Sequence, residues 1–423
     1  MSFGRDAVCP AREGSPGEAN SQTVRFHGAE YFADPGAVYR DARQRFGALV
    51  PAELADGVPA TVVVGYKMAL QILRHPDQFP ADSRAWQQGA PAGCPALSVL
   101  EYRPDPRRTA GAEHERYRST HTAVLGEVDQ HELLSVVEQI AVSLINGFCG
   151  RGSADLCAEF AWPLAFEVIG HLLGITEPGT EQMMRTAAAV AEATDASSAD
   201  AARNALEAIL TEVVREKAAA PGRDMISGLI AHPAGLSEHE VVAQLALIYE
   251  MGVEPTAALI LNTLRAMLAG DQLDGAVGGA VSTRDALDEV LFNDPPIPNA
   301  CVTFPPRPQL LGEVWLWENT PVVISLAACN QDPSVRRRDP ATDSGVRGGN
   351  RSHLSWGLGE HACPANEIAL LIAATAIDQL MDALPDMSVA VPEDRLTWRT
   401  DPFRRSLTAL PVLFPPAPPL PAP

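Results

Sequence analysis

The 423-residue chain has no run of about 18 apolar residues, the length a helix needs to cross a bilayer. Its opening stretch, MSFGRDAVCPAREGSPGEAN, lacks a basic segment followed by an apolar one and so does not read as a secretory leader. Cysteine is sparse and unpatterned. Seven residues without framework spacing argue against a disulfide scaffold and suit a reducing compartment. Positive charge is short as well: 32 basic against 53 acidic residues leave a net charge of −21, which disfavours nucleic acid and anionic membranes as partners. The expectation is a soluble, cytoplasmic protein that binds neither.

Apolar residues make up 46% of the chain, ample for a large core. Residues 1–22, rich in Gly, Pro, Ser and charge, are expected to be disordered, as is the proline tail, residues 415–423. Asp34 before Pro35 marks the start of a helix over residues 34–44. A strand, TVVVGY (61–66), and a short helix over 67–79 follow. Residues 80–110 hold many Pro, Gly and Arg and read as one long loop, which in a compact domain is usually functional or mobile. From 127 to 230 the pattern is mostly helical. Within it LCAEFAWPLAFEVIGHLLGI (156–175) reads as a core helix, with Trp162 and His171 as packing residues. Residues 239–270 are apolar almost throughout and are expected to cross the domain centre. A short β-rich ending follows Asp386.

The chain is organised around HLSWGLGEHACPANEIALLIAATAIDQLMDALPDM, residues 353–387. Its second half has helical spacing, with Ile368, Leu371, Ile372, Ile377, Leu380 and Leu384 on recurring turns. In its first half Gly357 and Gly359 permit unusual backbone angles and close approach. Pro364 is a helix-start signal, which places Cys363 at the N-cap, where the helix dipole favours a thiolate. Taken alone, Cys363 is open to several readings. It can be a small buried hydrophobe, a metal ligand, or the nucleophile of a Cys–His pair with His361 that lacks a third, orienting residue. Zinc is short of ligands here.

WGLGEHACPANEIA closely resembles the haem-binding signature of the cytochrome P450 superfamily, Phe-Gly-x-Gly-x-His-x-Cys-x-Gly-x-x-x-Ala. Trp356 stands for the Phe and Ala365 for the last Gly. The resemblance implies that Cys363 is the axial thiolate on the iron of haem b, with His353, Trp356, Gly357 and His361 around it. GAEHERYRS resembles the family's His-x-x-x-Arg segment, so His114 and Arg118 are expected to share one helix face and hold haem propionates. Met251-Gly252-Val253-Glu254-Pro255-Thr256 resembles the oxygen-activation motif of the long central helix. Gly252 and the acid, Glu254, are kept, but Pro255 replaces the threonine whose hydroxyl helps deliver protons. Thr256, about 100° further round, is an imperfect stand-in. Pro255 should also kink or open the helix.

ALDEVLFNDPP resembles the Glu-x-x-Arg helix, with Glu289 kept and Phe292 in the arginine position. The second arginine of that triad aligns with Thr342. Glu289 is expected to find a new base among Arg336, Arg337, Arg338 and Arg347, in preference to being protonated through burial or turned toward water. The resemblance implies a mainly α cytochrome P450 fold over residues 23–414, a large helical lobe and a smaller β-rich lobe with haem buried between them. It also implies a bacterial monooxygenase that inserts one oxygen atom into a small hydrophobic substrate, with electrons from ferredoxin and ferredoxin reductase. The run Arg336–Arg338 is either a docking patch for the acidic redox partner or a solvated loop. Two rival functions are a haem-binding scaffold or sensor with little turnover, and a peroxide-driven or oxidative-coupling haem enzyme.

Overall fold

In the computed structural model, which describes residues 23–90, 94, 96–192, 196–269, 282–335 and 351–421, the long apolar segment forms one helix, Glu238–Ala269. It is apolar on nearly every face, and from Val253 to Leu264 all but Glu254 and Pro255 are buried. Such a helix must be surrounded. The helices Trp162–Leu173, Ala196–Ala219, Thr283–Asn293 and Asn366–Ala383 pack against it. Pro255 does not interrupt it, contrary to the expected opening beside Gly252. The proline lacks one backbone donor, and packing on several sides holds the remaining turns in place.

The β-rich lobe is built on a five-stranded mixed sheet. In spatial order its strands are Val24–Arg25, Leu49–Ala55, Val58–Val63, Val322–Ser325 and Asn299–Thr303. The strand Leu49–Ala55, missed in the sequence, pairs antiparallel with Val58–Val63 through a two-residue turn, Asp56–Gly57. The helix Pro35–Phe46 begins as expected, with Asp34 Oδ1 accepting from the Ala37 amide at 2.8 Å. Residues 80–110 are not one bare loop: they carry the short helices Arg84–Gly89 and Leu97–Leu100. The expected β ending is present as Ser388–Val389 and Pro411–Leu413, paired with a third strand, Ser153–Asp155.

Some expectations need correction or fall outside what is described. His171 is exposed, whereas Trp162 packs against the core as expected and also lines a cavity. The proline tail is not loose up to residue 421. The Ala417 amide donates to the Cys149 carbonyl at 2.9 Å, and Leu420 exchanges two hydrogen bonds with Asn146, so the few amides between the prolines are tied to the end of the helix Gln130–Phe148. Residues 1–22, with the disorder expected there, lie outside the described residues, as do Arg336, Arg337, Arg338, Thr342 and Arg347.

The arginines expected to pair with Glu289 lie outside the described residues, and within them its neighbour Asp288 takes guanidinium partners. Asp288 is buried and its carboxylate lies 2.9 Å from Arg351 Nε and 3.6 Å from Arg284 Nε. The Glu289 carboxylate accepts from the Asn293 side chain one turn on. Phe292 is buried edge-on against His353, ring centroids 5.4 Å apart. One buried residue ties these parts together. Asn330 donates to the Leu291 carbonyl and to Ser355 Oγ, both at 3.0 Å, and accepts the Leu354 amide at 2.7 Å.

Asn330→Ala would strand the Leu354 amide, and at roughly 1–3 kcal/mol per unsatisfied buried group it should destabilise the protein by about 2–4 kcal/mol. Urea unfolding measures this, and a loss below about 0.5 kcal/mol would show that the three bonds are dispensable. A second outcome concerns His121, buried with Nε2 2.8 Å from Gln244 Oε1. Burial pushes its pKa down from 6.5 to about 4, against the Gln244 bond that raises it. The unfolded chain takes this proton as the pH falls through 6.5 and the folded chain does not, so stability is lost between 6.5 and about 4, by up to about 3 kcal/mol. His121→Gln should lose less stability than the wild type between about pH 7 and pH 4.5, and parallel losses would exclude His121 as the source.

Candidate active site

The cysteine loop is built by its own backbone. The Gly357 amide donates to the Leu354 carbonyl, and the Cys363 amide donates to the Trp356 carbonyl, each at 2.7 Å. Gly357 and Gly359 take φ of +68° and +76°, in the left-handed region open to glycine. At Gly359 there is no room for a side chain: a Cβ would lie 2.4 Å from the Leu73 carbonyl oxygen. The helix that follows starts later than expected. It spans Asn366–Ala383 with Ala365 as its cap, so Cys363 is not the N-cap but precedes it, separated by a turn at Pro364–Ala365. The thiolate is correspondingly less favoured than the N-cap position implied. Burial pushes the Cys363 thiol up, against the Ala365 amide and Arg118, which lower it.

A cavity of about 1390 Å³ lies between this loop and the central helix. Of the residues singled out in the sequence, Cys363, His361, Gly357, Trp356, Arg118, Gly252, Glu254 and Thr256 line it. His114 and Arg118 sit on the helix Gly111–Gly126. His114 stands behind the wall, its ring 4.4 Å from that of His361, and Arg118 Nη2 donates to the Ala362 carbonyl at 2.6 Å. His353 does not line the cavity: it packs on Phe292 and faces Asp288. Gly252 borders the cavity, but its lack of a side chain also lets the central helix approach Ile169, whose Cδ1 would be 3.1 Å from an added Cβ.

The residues present fit a haem. Nε2 of His114 is buried without a hydrogen-bond partner among the described residues, and Nε2 of His361 makes no aligned hydrogen bond although it lies 3.3 Å from Glu360 Oε1, so both imidazoles beside Arg118 keep hydrogen-bonding capacity. Burial, His114 and Arg118 push His361 down to about 4, and burial lowers His114 as well, so both rings are neutral at pH 7. A carboxylate placed beside either ring would favour its protonated form, in which both nitrogens donate. Cys301 and Cys157 also line the cavity, but burial pushes their thiols up to about 12 and 11. The nearest thing to a missed signal in the sequence is Glu250. It and Glu254 are the two carboxylates in the apolar middle of the central helix, one turn apart. Glu250 meets Arg103, Arg107 and Arg404 within 3.4 Å, and Arg404 Nε lies 3.5 Å from Glu254 Oε2.

No protein-family model matches the chain. It is 27% identical over 386 residues to cytochrome P450 107B1 of Saccharopolyspora erythraea, spanning 88% of this chain and 94% of that one. It is also 27% identical over 392 residues to the cytochrome P450 monooxygenase PikC of Streptomyces venezuelae, spanning 91% and 92%. Among solved structures, CYP154C4 from a Streptomyces species superposes with a TM-score of 0.81 at 24% identity, over 93% of this chain and 98% of that one. CYP154A1 from Streptomyces coelicolor gives 0.80 at 24% identity, over 90% and 98%. The fold is theirs, and among the described residues no helix is long and apolar enough to cross a membrane. The likeness to named cytochrome P450s, a monooxygenase among them, runs at 27% identity through nearly the whole of each protein and supports membership of the bacterial P450 superfamily.

Proposed function

We propose that the protein is a haem-thiolate monooxygenase that holds haem b through Cys363, takes electrons from a ferredoxin and its reductase in the cytoplasm, and inserts one oxygen atom into a small, largely apolar substrate. What carries the reading is the cavity shared by Cys363, Arg118, His361 and Glu254. Haem b, when bound, supplies a thiolate-ligated iron, a ligation that favours O–O cleavage. Cys363 is chosen over Cys301 and Cys157 because it alone of the three has both a backbone amide, that of Ala365, and Arg118 acting to lower its pKa. Arg118 and the two neutral imidazoles, His114 and His361, receive the propionates.

Glu254 and Thr256 are assigned to proton delivery. Glu254 Oε2 faces the cavity from the central helix but lies in an ion pair with Arg404. That contact occupies the carboxylate, and Pro255 beside it offers no hydroxyl to help. Thr256 Oγ1 and ordered water are left to carry the proton onward. This weakness in the relay is also what favours the scaffold reading, with little turnover, as the second possibility. Consumption of NAD(P)H with ferredoxin and reductase, matched by product, separates the two.

The reduced, CO-bound protein should show the red-shifted Soret band of thiolate ligation. Cys363→Ala should abolish it with helical content kept, and Cys301→Ala should leave it unchanged. Persistence of the band in Cys363→Ala would move the ligand to another cysteine. Native protein should also release peroxide alongside product, and Pro255→Thr should raise the product formed per NAD(P)H. Tight coupling in the native protein that is indifferent to Glu254→Gln would exclude this relay.

A further inference from the structure

Seven arginines and three acids line the cavity of a protein whose overall charge is −21, so the cavity reverses the sign of the whole. Arg118 beside Cys363 is accounted for by the haem. Four of the remaining six, Arg103, Arg107, Arg108 and Arg404, gather around Glu250 on the central helix. There Arg103 Nη1, Arg107 Nη2 and Arg404 Nη2 reach its carboxylate at 3.4, 3.2 and 3.2 Å. Burial opposes its ionisation, yet Arg107, Arg404 and Arg103 together hold it down at about 2.

One carboxylate does not use up these donors. Arg107 Nε is buried without a partner, and Arg107 Nη1 is directed at Met251 Sδ, 2.9 Å away. A thioether is a weak acceptor for a guanidinium. Arg404 Nη2 also approaches Met251 Sδ, at 3.6 Å. Behind them Arg108 is buried, and burial with the neighbouring Arg107 pushes its pKa down to about 9, the mark of crowded positive charge. Acids that do not line the cavity stand nearby: Glu101 pairs with Arg103 at 3.5 Å, and buried Asp105 accepts the Arg107 and Arg108 amides. Arg107 and Arg404 both line the cavity, Arg404 also giving Nη1 to the Phe403 carbonyl at 3.5 Å. Most of the remaining wall is apolar, including Leu100, Trp162, Phe166, Leu247 and Leu291.

We propose that the substrate is an amphipathic carboxylate: an apolar skeleton whose anionic group is bound by Arg107 and Arg404, with Arg103 behind them, beside Glu250. The inference deepens the monooxygenase reading and rests on it. Guanidinium groups recognise carboxylates through paired N–H donors. Glu250 keeps the cluster assembled when no substrate is bound, and Arg107 and Arg404 retain donors for a second carboxylate. Substrate selection therefore combines apolar fit with one obligatory charge.

Isothermal titration calorimetry on the haem-loaded protein tests this with two acids and their neutral amides of equal size, decanoic acid with decanamide and naphthaleneacetic acid with naphthaleneacetamide. At least one acid should bind about tenfold more tightly than its amide, the ratio that a buried charge-assisted contact supplies. Arg107→Gln and Arg404→Gln should each bring that ratio toward one. Glu250→Gln, which removes the competing internal carboxylate, should raise it. Equal affinities, a preference for the amides, no binding of either acid at millimolar concentration, or a preference that survives both arginine changes would overturn the proposal. The CO spectrum of the same samples separates the two levels of inference. A thiolate-type band without acid preference sinks the substrate class alone, and an absent band sinks the haem reading whatever the calorimetry gives.

Discussion

Everything at the active site depends on how closely the cysteine loop can lie against the rest of the chain. At Gly359 the loop meets the Leu73 carbonyl with no space for even one carbon atom. At Gly357 an added Cβ would come within 3.4 to 3.5 Å of the loop's own His361 and Ala362 and of Cys301. Two left-handed residues bend the loop, and the Cys363 amide closes it on Trp356. Asn330 then fixes its approach from the other side, through Leu354 and Ser355. The sulfur of Cys363 is thus placed by backbone contacts and one buried amide side chain, before any cofactor is considered. The loop precedes the helix Asn366–Ala383, so its position does not rest on helix capping.

The altered charged motif behind this loop follows from the same need to hold it. A buried carboxylate left without a partner is costly, and a buried pair that loses one member is destabilised by about 3–5 kcal/mol. Phe292 removes one base from the helix Thr283–Asn293 and fills the space with a ring against His353. Among the described residues Asp288, on the same helix, takes a guanidinium partner, facing Arg351 just ahead of the cysteine loop. Arg351 is largely exposed, so that pair is screened and contributes modestly. The loop's position therefore leans more on Asn330 and the Leu291 carbonyl than on charge.

What the sequence disclosed and what it did not divides along range. Asp34 as a cap, the central helix within one residue at each end, and His114 and Arg118 on one helix are local patterns, and the structure has them. Cys363, Gly357 and His361 were legible because they sit within seven residues of one another. The displaced cap at Ala365 was not, because a proline signals a helix start without excluding an intervening turn. His353 was misplaced because adjacency to the signature does not determine which way a side chain turns. Least legible were Arg103, Arg107 and Arg404. Each is an ordinary loop arginine until its partner is known, and that partner, Glu250, is more than 140 residues away in every case. An acid within an apolar helix marks only that a partner must exist.

Arg404 joins the two halves of the cavity's chemistry. Its Nη2 lies 3.2 Å from Glu250 Oε1 while its Nε lies 3.5 Å from Glu254 Oε2, so one guanidinium spans two carboxylates one turn apart on the central helix. A guanidinium shared among acceptors interacts less strongly with each. A substrate carboxylate bound at Arg404, as proposed, would share that guanidinium with both acids. Arg404 thus touches both the proposed substrate anchor at Glu250 and the proposed relay acid beside Pro255, a link that the helix alone does not show.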